Sequence, residues 1–199
     1  MKFKVRKGDV AIQISNIVET FQYKAEKRNI RYIYTTTHTS VNGFFDYDKI
    51  EKVLYNLISN AFKFTPDGGV IEVSIRFFKE GKLLLPDENI ADNVEIKISD
   101  SGVGISESDL NNIFNRFYQG NKSENGTGIG LSLAYSLAKI HGGDITVSSQ
   151  KDCGSTFTLQ LPVALNLMNN YELINDEIIL DEKISFHDID DRDDNKLTL

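Results

Sequence analysis

Asn56, Asn60 and Lys63 stand at i, i+4 and i+7 of a segment whose apolar residues recur at helical spacing. That places two amides and an ammonium within a ~60° sector of one helix face. Amide oxygens are hard donors that suit a hydrated divalent cation, and lysine offers a point charge to a phosphate. A second group, "SDSGVGI", follows an alternating strand. Asp100 closes that strand, while Gly102 and Gly104 let a ligand approach the backbone. A half-buried carboxylate there asks for a donor, such as the exocyclic amine of adenine. The third group is "NGTGIGL", in which Gly126, Gly128 and Gly130 leave N–H groups uncovered where a helix starts, the makings of an anion site. Its glycine spacing fits neither a dinucleotide fingerprint nor a P-loop. Each group has an ordinary reading as a polar helix shoulder, a turn or a helix cap. Their succession in one chain is improbable by accident.

The elements that must position them can be read from periodicity. Asp9 is a candidate N-cap for a helix with apolar positions Val10, Ile14, Ile17, Val18, Phe21 and Ala25. "RYIYTT" reads as a strand. Asp46 or Asp48 caps the helix of Asn56, whose buried face is Ile50, Val53, Leu54, Leu57, Ile58 and Ala61; "TPDGG" ends it. "VIEVSIRFF" and "NVEIKIS" alternate as half-buried strands joined by a hairpin connection. A short helix is expected over 107–117 and a longer one over 129–140, then strands at "DITVSS" and "STFTLQL". Strands gathered beside helices indicate an α+β sandwich.

Composition narrows the class. The chain has 199 residues, 40% apolar, which suffices for one domain with a core. One cysteine, Cys153, excludes an internal disulfide and fits a reducing compartment. No apolar run approaches the ~20 residues of a membrane span, and the N-terminus lacks a signal-peptide core. The net charge of −7 resides in residues 163–199, with ten acids against three bases, so the body is neutral. A neutral body without a basic stripe argues against nucleic acid as a partner. Residues 163–199, with "DIDDRDD", read as a solvated acidic linker.

The motifs resemble those of sensor histidine kinases. "NLISNAFKFT" looks like the N box, "DSGVGI" the G1 box, "IFNRFYQ" the F box and "GTGIGL" the G2 box. The resemblance covers roughly residues 8–162 and includes "HGGDITVSSQKDCGSTFTLQLP" near its end. It implies the Bergerat fold of the GHKL superfamily, a two-layer sandwich with a mixed sheet, helices on one face and an ATP lid. By that resemblance Asn60 binds Mg²⁺, Lys63 a phosphate and Asp100 the adenine amine, with Asn56 near the terminal phosphates. Phe64 supplies an aromatic wall. Gly102, Gly104 and Ile105 belong to the base side, and Gly126, Thr127, Gly128, Ile129, Gly130 and Leu131 to a hinged lid over the triphosphate. Residues 119–127 are expected to be mobile without nucleotide. Ser155 keeps a hydroxyl where threonine is frequent near the adenine-binding aspartate. Two departures stand out: Gln119 replaces an arginine that reaches the γ-phosphate in many relatives, so that role passes to Arg116 or is absent. Asp152 replaces a frequent glycine, read as loop variation.

In gyrase, chaperone and mismatch-repair ATPases of the superfamily a glutamate matches Asn56 and activates water. Asn56 cannot take a proton, which favours phosphoryl transfer over hydrolysis. The catalytic set is then Asn56, Lys63 and Arg116. None of His38, His141 and His187 heads an amphipathic helix with phosphoacceptor character. The resemblance therefore implies an ATP-binding catalytic domain, residues 1–162, acting on a separate dimerisation and phosphoacceptor domain. The linker "DDNKLTL" resembles the approach to a receiver domain, as in a hybrid sensor. The expected setting is the cytoplasmic portion of a membrane-anchored sensor, without direct membrane contact. The alternatives are a gyrase- or chaperone-type ATPase and a pseudokinase that binds nucleotide to switch partners.

Overall fold

The alternating segments assemble into a mixed sheet in the computed structural model, which describes residues 3–119, 127–167, 171–174 and 177–180. Its strands are β2 (Arg31–Thr36), β4 (Val70–Lys79), β5 (Lys82–Leu83), β6 (Asn93–Asp100), β7 (Asp144–Gln150) and β8 (Gly154–Pro162). The order is β2–β4–β6–β8–β7, with β5 on β4. The β2–β4 pair is parallel and the other pairs are antiparallel. Because side chains alternate, residues paired across the strands form rows on one face. One row is Val73, Ile98, Phe157 and Val147, and the next is Ile75, Ile96, Leu159 and Ile145. Helices α1 (Val10–Glu19), α3 (Tyr47–Phe64) and α5 (Gly130–Ile140) contribute Ile14, Leu54, Leu57, Ile58, Leu137 and Ala138 to the same core.

The expected first helix is in fact two, α1 and α2 (Gln22–Lys27). Thr20 interrupts it by donating its hydroxyl to the Ile17 carbonyl at 2.7 Å, while Phe21 turns inward and stacks on Phe62 at 5.7 Å. The helix expected over 107–117 is regular only in α4 (Glu107–Leu110). Asn112 and Asn115 amides bond locally, to the Ser108 carbonyl and the Asn112 side chain, and Phe117 adopts φ +64°. Such side chains compete with the helical backbone, so the segment continues as turns.

Two strands near the N-terminus, β1 (Phe3–Asp9) and β3 (Asn42–Phe45), had no clear pattern in the sequence. They form a second sheet with β9 (Tyr171–Ile174) and β10 (Glu177–Leu180), in the order β3–β1–β10–β9. Part of the stretch read as a solvated linker is therefore a hairpin paired on β1, with Phe3 opposite Leu180. Four-residue strands are too short to show a period, and pairing of the backbone with β1 is a tertiary event. The rest of that stretch, including His187, lies outside the described residues. Among the described residues no helix is long and apolar enough to cross a membrane.

Candidate functional site

Helix α3 carries the first set of site residues and is fixed at both ends. Asp46 is its N-cap, accepting from the Lys49 N–H at 3.2 Å and the Lys4 N–H at 3.0 Å. At the C-terminus the Arg28 guanidinium donates to the Phe62 carbonyl, to the Thr65 carbonyl at 2.8 Å and to Asp67 at 2.7 Å. A cation on the last carbonyls satisfies acceptors that the helix leaves open. Sequence reading missed Arg28, because its position beside residues 62–67 depends on how α2 packs. On the helix so held, Asn56 and Asn60 are half-buried, and Lys63 is exposed with its ammonium 5.0 Å from the Phe64 ring centroid. Asn56 donates its side-chain amide to the Lys52 carbonyl at 2.8 Å, and its oxygen faces the start of α5 at Gly130.

The two glycine segments both reach this helix. A Cβ on Gly102 would stand 2.5 Å from the Phe64 carbonyl oxygen, and Val103 donates to that carbonyl at 3.4 Å. A Cβ on Gly130 would stand 2.7 Å from the Asn56 side-chain oxygen, so α5 starts directly against the asparagine. Gly128 has φ +67° and its carbonyl accepts from the Phe117 N–H at 2.9 Å, which joins the F and G2 segments. Arg116 and Gln119 are exposed on either side of this junction, and Thr127 and Ile129 are exposed beside it. Leu131 is half-buried and packs on the core. Phe114 stacks on Tyr135 of α5 at 4.7 Å, and Tyr118 donates to Asp109 at 2.6 Å. Gly126 and the greater part of the expected lid, residues 120–126, lie outside the described residues.

Asp100 ends β6 on the face that buries Ile96 and Ile98. It pairs across the sheet with Ser155 of β8. Burial pushes its carboxyl above the usual range, against backbone N–H donors of Gly102 and Ser155 that favour the charged form. The Gly102 N–H lies 2.8 Å from the Asp100 oxygen. A desolvated carboxylate at the mouth of a glycine turn has acceptor capacity to spare for a ligand donor. Gly104, at φ +63°, puts the turn against the Gln150 carbonyl, where any Cβ would collide. Asp152 adopts φ +63° and donates its N–H to the Val103 carbonyl at 2.7 Å, so an aspartate serves at a left-handed position where glycine is frequent.

The described histidines are internal. His38 is 7% exposed, with Nε2 donating to the Leu85 carbonyl at 2.8 Å and Nδ1 hydrogen-bonded to the Thr37 hydroxyl at 2.9 Å. His141 is 2% exposed and accepts the Asp46 N–H on Nε2 at 3.3 Å. Burial pushes its pKa down to about 4, with the nearby Asp46 pulling the other way. Neither ring is presented to a phosphate donor.

The donor set fits a magnesium–nucleotide complex. An amide face on α3, a desolvated carboxylate and the start of α5 supply the groups, and Gly102 and Gly130 approach so closely that an added Cβ would meet the Phe64 carbonyl oxygen or the Asn56 side-chain oxygen.

Comparisons with known proteins bear on the family and the fold. Residues 45–165 match the family model described as histidine kinase-, DNA gyrase B-, and HSP90-like ATPase. The chain is 33% identical over 182 residues to histidine kinase P4 of Formosa agariphila, covering 88% of this chain and 12% of that protein. It is 35% identical over 153 residues to sensor histidine kinase WalK of Bacillus subtilis, covering 75% of this chain and 23% of the relative. The chain thus spans less than a quarter of either relative's length. Among solved structures, the catalytic domain of histidine kinase ThkA superposes with a TM-score of 0.65 at 25% identity, over 80% of this chain and 98% of that one. Full-length ShkA in complex with AMPPNP gives a TM-score of 0.68 at 21% identity, over 82% of this chain and 32% of that one, a likeness of fold. Motifs, fold and relatives together show that the chain belongs to the histidine kinase-, DNA gyrase B- and HSP90-like ATPases, as an ATP-binding catalytic domain of the sensor histidine kinase type.

Proposed function

We propose that the chain binds Mg·ATP between α3, the Asp100 turn and the start of α5, and transfers the γ-phosphoryl group to a histidine on a separate phosphoacceptor domain. The observation that carries the reading is Asn56, whose amide stands against Gly130 where α5 begins. An amide at that point can hold a phosphate or the cation's water but cannot accept a proton from an attacking water, so a positioned nucleophile is favoured over hydrolysis.

The chain's own residues do the rest by placement. Asp100 accepts the adenine amine and sets the base, with Ser155 and the Gly102–Ile105 turn beside it. Phe64 walls the nucleotide. Asn60 is the ligand for Mg²⁺, and Lys63 offers its ammonium to a phosphate oxygen. Mg²⁺ held there would supply positive charge to offset that of the phosphates. Gly128 and Gly130 keep backbone N–H groups open toward the phosphates, and Arg116 supplies the cation that Gln119 does not. Orientation of this kind is the main catalytic resource for phosphoryl transfer.

Residues 1–162 form the catalytic unit in this reading. The acidic stretch 163–199, with its hairpin on β1, leads toward a receiver domain, and the setting is the cytoplasmic side of an anchored sensor. The test supplies a cognate phosphoacceptor domain and Mg·[γ-³²P]ATP and follows acid-labile, base-stable label. Label on the acceptor with slow release of phosphate by the chain alone is expected. Steady hydrolysis without label would identify an ATPase, and tight binding with neither would identify a nucleotide-dependent switch.

A further inference from the structure

The two apolar rows of the central sheet end in a polar one. Asp100 pairs with Ser155, and Ser155 pairs with Ser149 of β7, so the three residues form a single line across β6, β8 and β7. They share the face of Ile98, Phe157 and Val147, because each lies two residues further along its strand.

Ser149 is hydrogen-bonded on every side. Its Oγ accepts from the Ile105 N–H at 2.8 Å, lies 2.8 Å from the Gly154 carbonyl oxygen and 3.0 Å from the Ser155 Oγ. A hydroxyl has one proton and two lone pairs. The Gly154 carbonyl can only accept, so the Ser149 proton goes there. One lone pair takes the Ile105 N–H, and the other is left for the proton of Ser155. Ser155 then has its own lone pairs for a ligand, next to the acceptor Asp100.

Resting on the Mg·ATP reading above, we propose that Ser149 is a positioning residue that sets base selectivity. It holds the Ser155 hydroxyl as an acceptor beside Asp100 and ties the Gly102–Ile105 turn to the β7–β8 hairpin. Two neighbouring acceptors match an exocyclic amine, which carries two N–H donors, and disfavour the carbonyl oxygen that guanine presents in its place. Removing the Ser149 hydroxyl releases the Ser155 proton, which can then be donated to that oxygen.

The experiment measures ATP and GTP competing against a fluorescent ATP analogue on the whole chain, with Mg²⁺ fixed, for the parent, Ser149→Ala and Ser149→Thr. Ser149→Ala should weaken ATP roughly five- to tenfold and GTP by less, so that the ATP/GTP ratio falls. Ser149→Thr keeps the hydroxyl on a strand that tolerates β-branching and should restore both values. Equal losses for the two nucleotides, or a lower melting temperature with an unchanged ratio, would reduce Ser149 to a structural contact and overturn the proposal. A threonine variant that behaves like alanine would also overturn it. Should the parent itself bind no ATP, the nucleotide reading falls together with this one; a parent that binds while the variants match it overturns this inference alone.

Discussion

Asp100, Ser155 and Ser149 occupy three neighbouring strands, where the register of backbone pairing fixes their separations. Asn56, Asn60 and Lys63 instead project from one helix, and what faces them is set by how α5 lies against α3. Strand pairing cannot slip by one residue without turning every side chain to the other face, so the proposed base end is rigid. Helix packing is adjustable within the scatter of ridge-and-groove contacts, so the proposed phosphate end must be pinned. It is pinned twice, by Gly130 against Asn56 at the start of α5 and by His141 against the Asp46 N–H at its end. The two ends should therefore fail differently, the base end in selectivity and the phosphate end in metal dependence and acid stability.

The largest effect is expected from pH acting on the pin. His141 titrates near 4 when folded and near 6.5 when unfolded. Between those values the unfolded chain binds the extra proton, so stability falls as pH drops through that window, by about 3 kcal/mol in total. The groups facing the ring are Asp46, whose charge opposes the shift, and Lys49, whose charge adds to it. Urea denaturation at stepped pH should show this loss in the parent and not in His141→Gln. Parallel curves for the two chains from pH 6.5 to 4 would remove His141 from the comparison.

Next in size is the base end. Asp100→Ala should cost roughly 10- to 150-fold in ATP affinity, the value of one charge-assisted hydrogen bond, with the circular dichroism spectrum retained. Asp100→Asn is the sharper form, since an amide can turn a donor to guanine and narrow the ATP/GTP gap. An Asn variant that discriminates as the parent does would show that Asp100 does not read the base.

At the phosphate end, Asn60→Ala should weaken Mg·ATP about tenfold and leave metal-free ATP almost unchanged, as read by calorimetry with and without Mg²⁺. Equal losses in both conditions would take Asn60 away from the metal. The smallest effect belongs to Gly130→Ala. The added methyl meets only the side-chain oxygen of Asn56, which can rotate away, so nucleotide affinity should change by about threefold or less. Phosphotransfer to a supplied acceptor should fall more than affinity, because Asn56 is displaced. A loss confined to affinity would separate Gly130 from the reacting phosphate.

Much of this molecule was legible in its residues. The apolar spacing of α3, the alternation of β4 and β6, and the cap Asp9 follow from side-chain chemistry repeated over one element, whereas the α3 cap was read as Asp46 or Asp48 and the structure decides for Asp46. The glycine turns and the candidate ligands beside them were likewise local patterns, readable without knowing what they would face. What the tertiary structure decided was of another kind. Short strands such as β3, β9 and β10 exist because partners supply their hydrogen bonds. Arg28 reaches the end of α3 only through packing, and Ser149 meets Ser155 and Ile105 only through register. A sequence lists donors and acceptors one by one; which of them meet is settled by chain segments far apart in sequence, through pairing and burial that no local window contains.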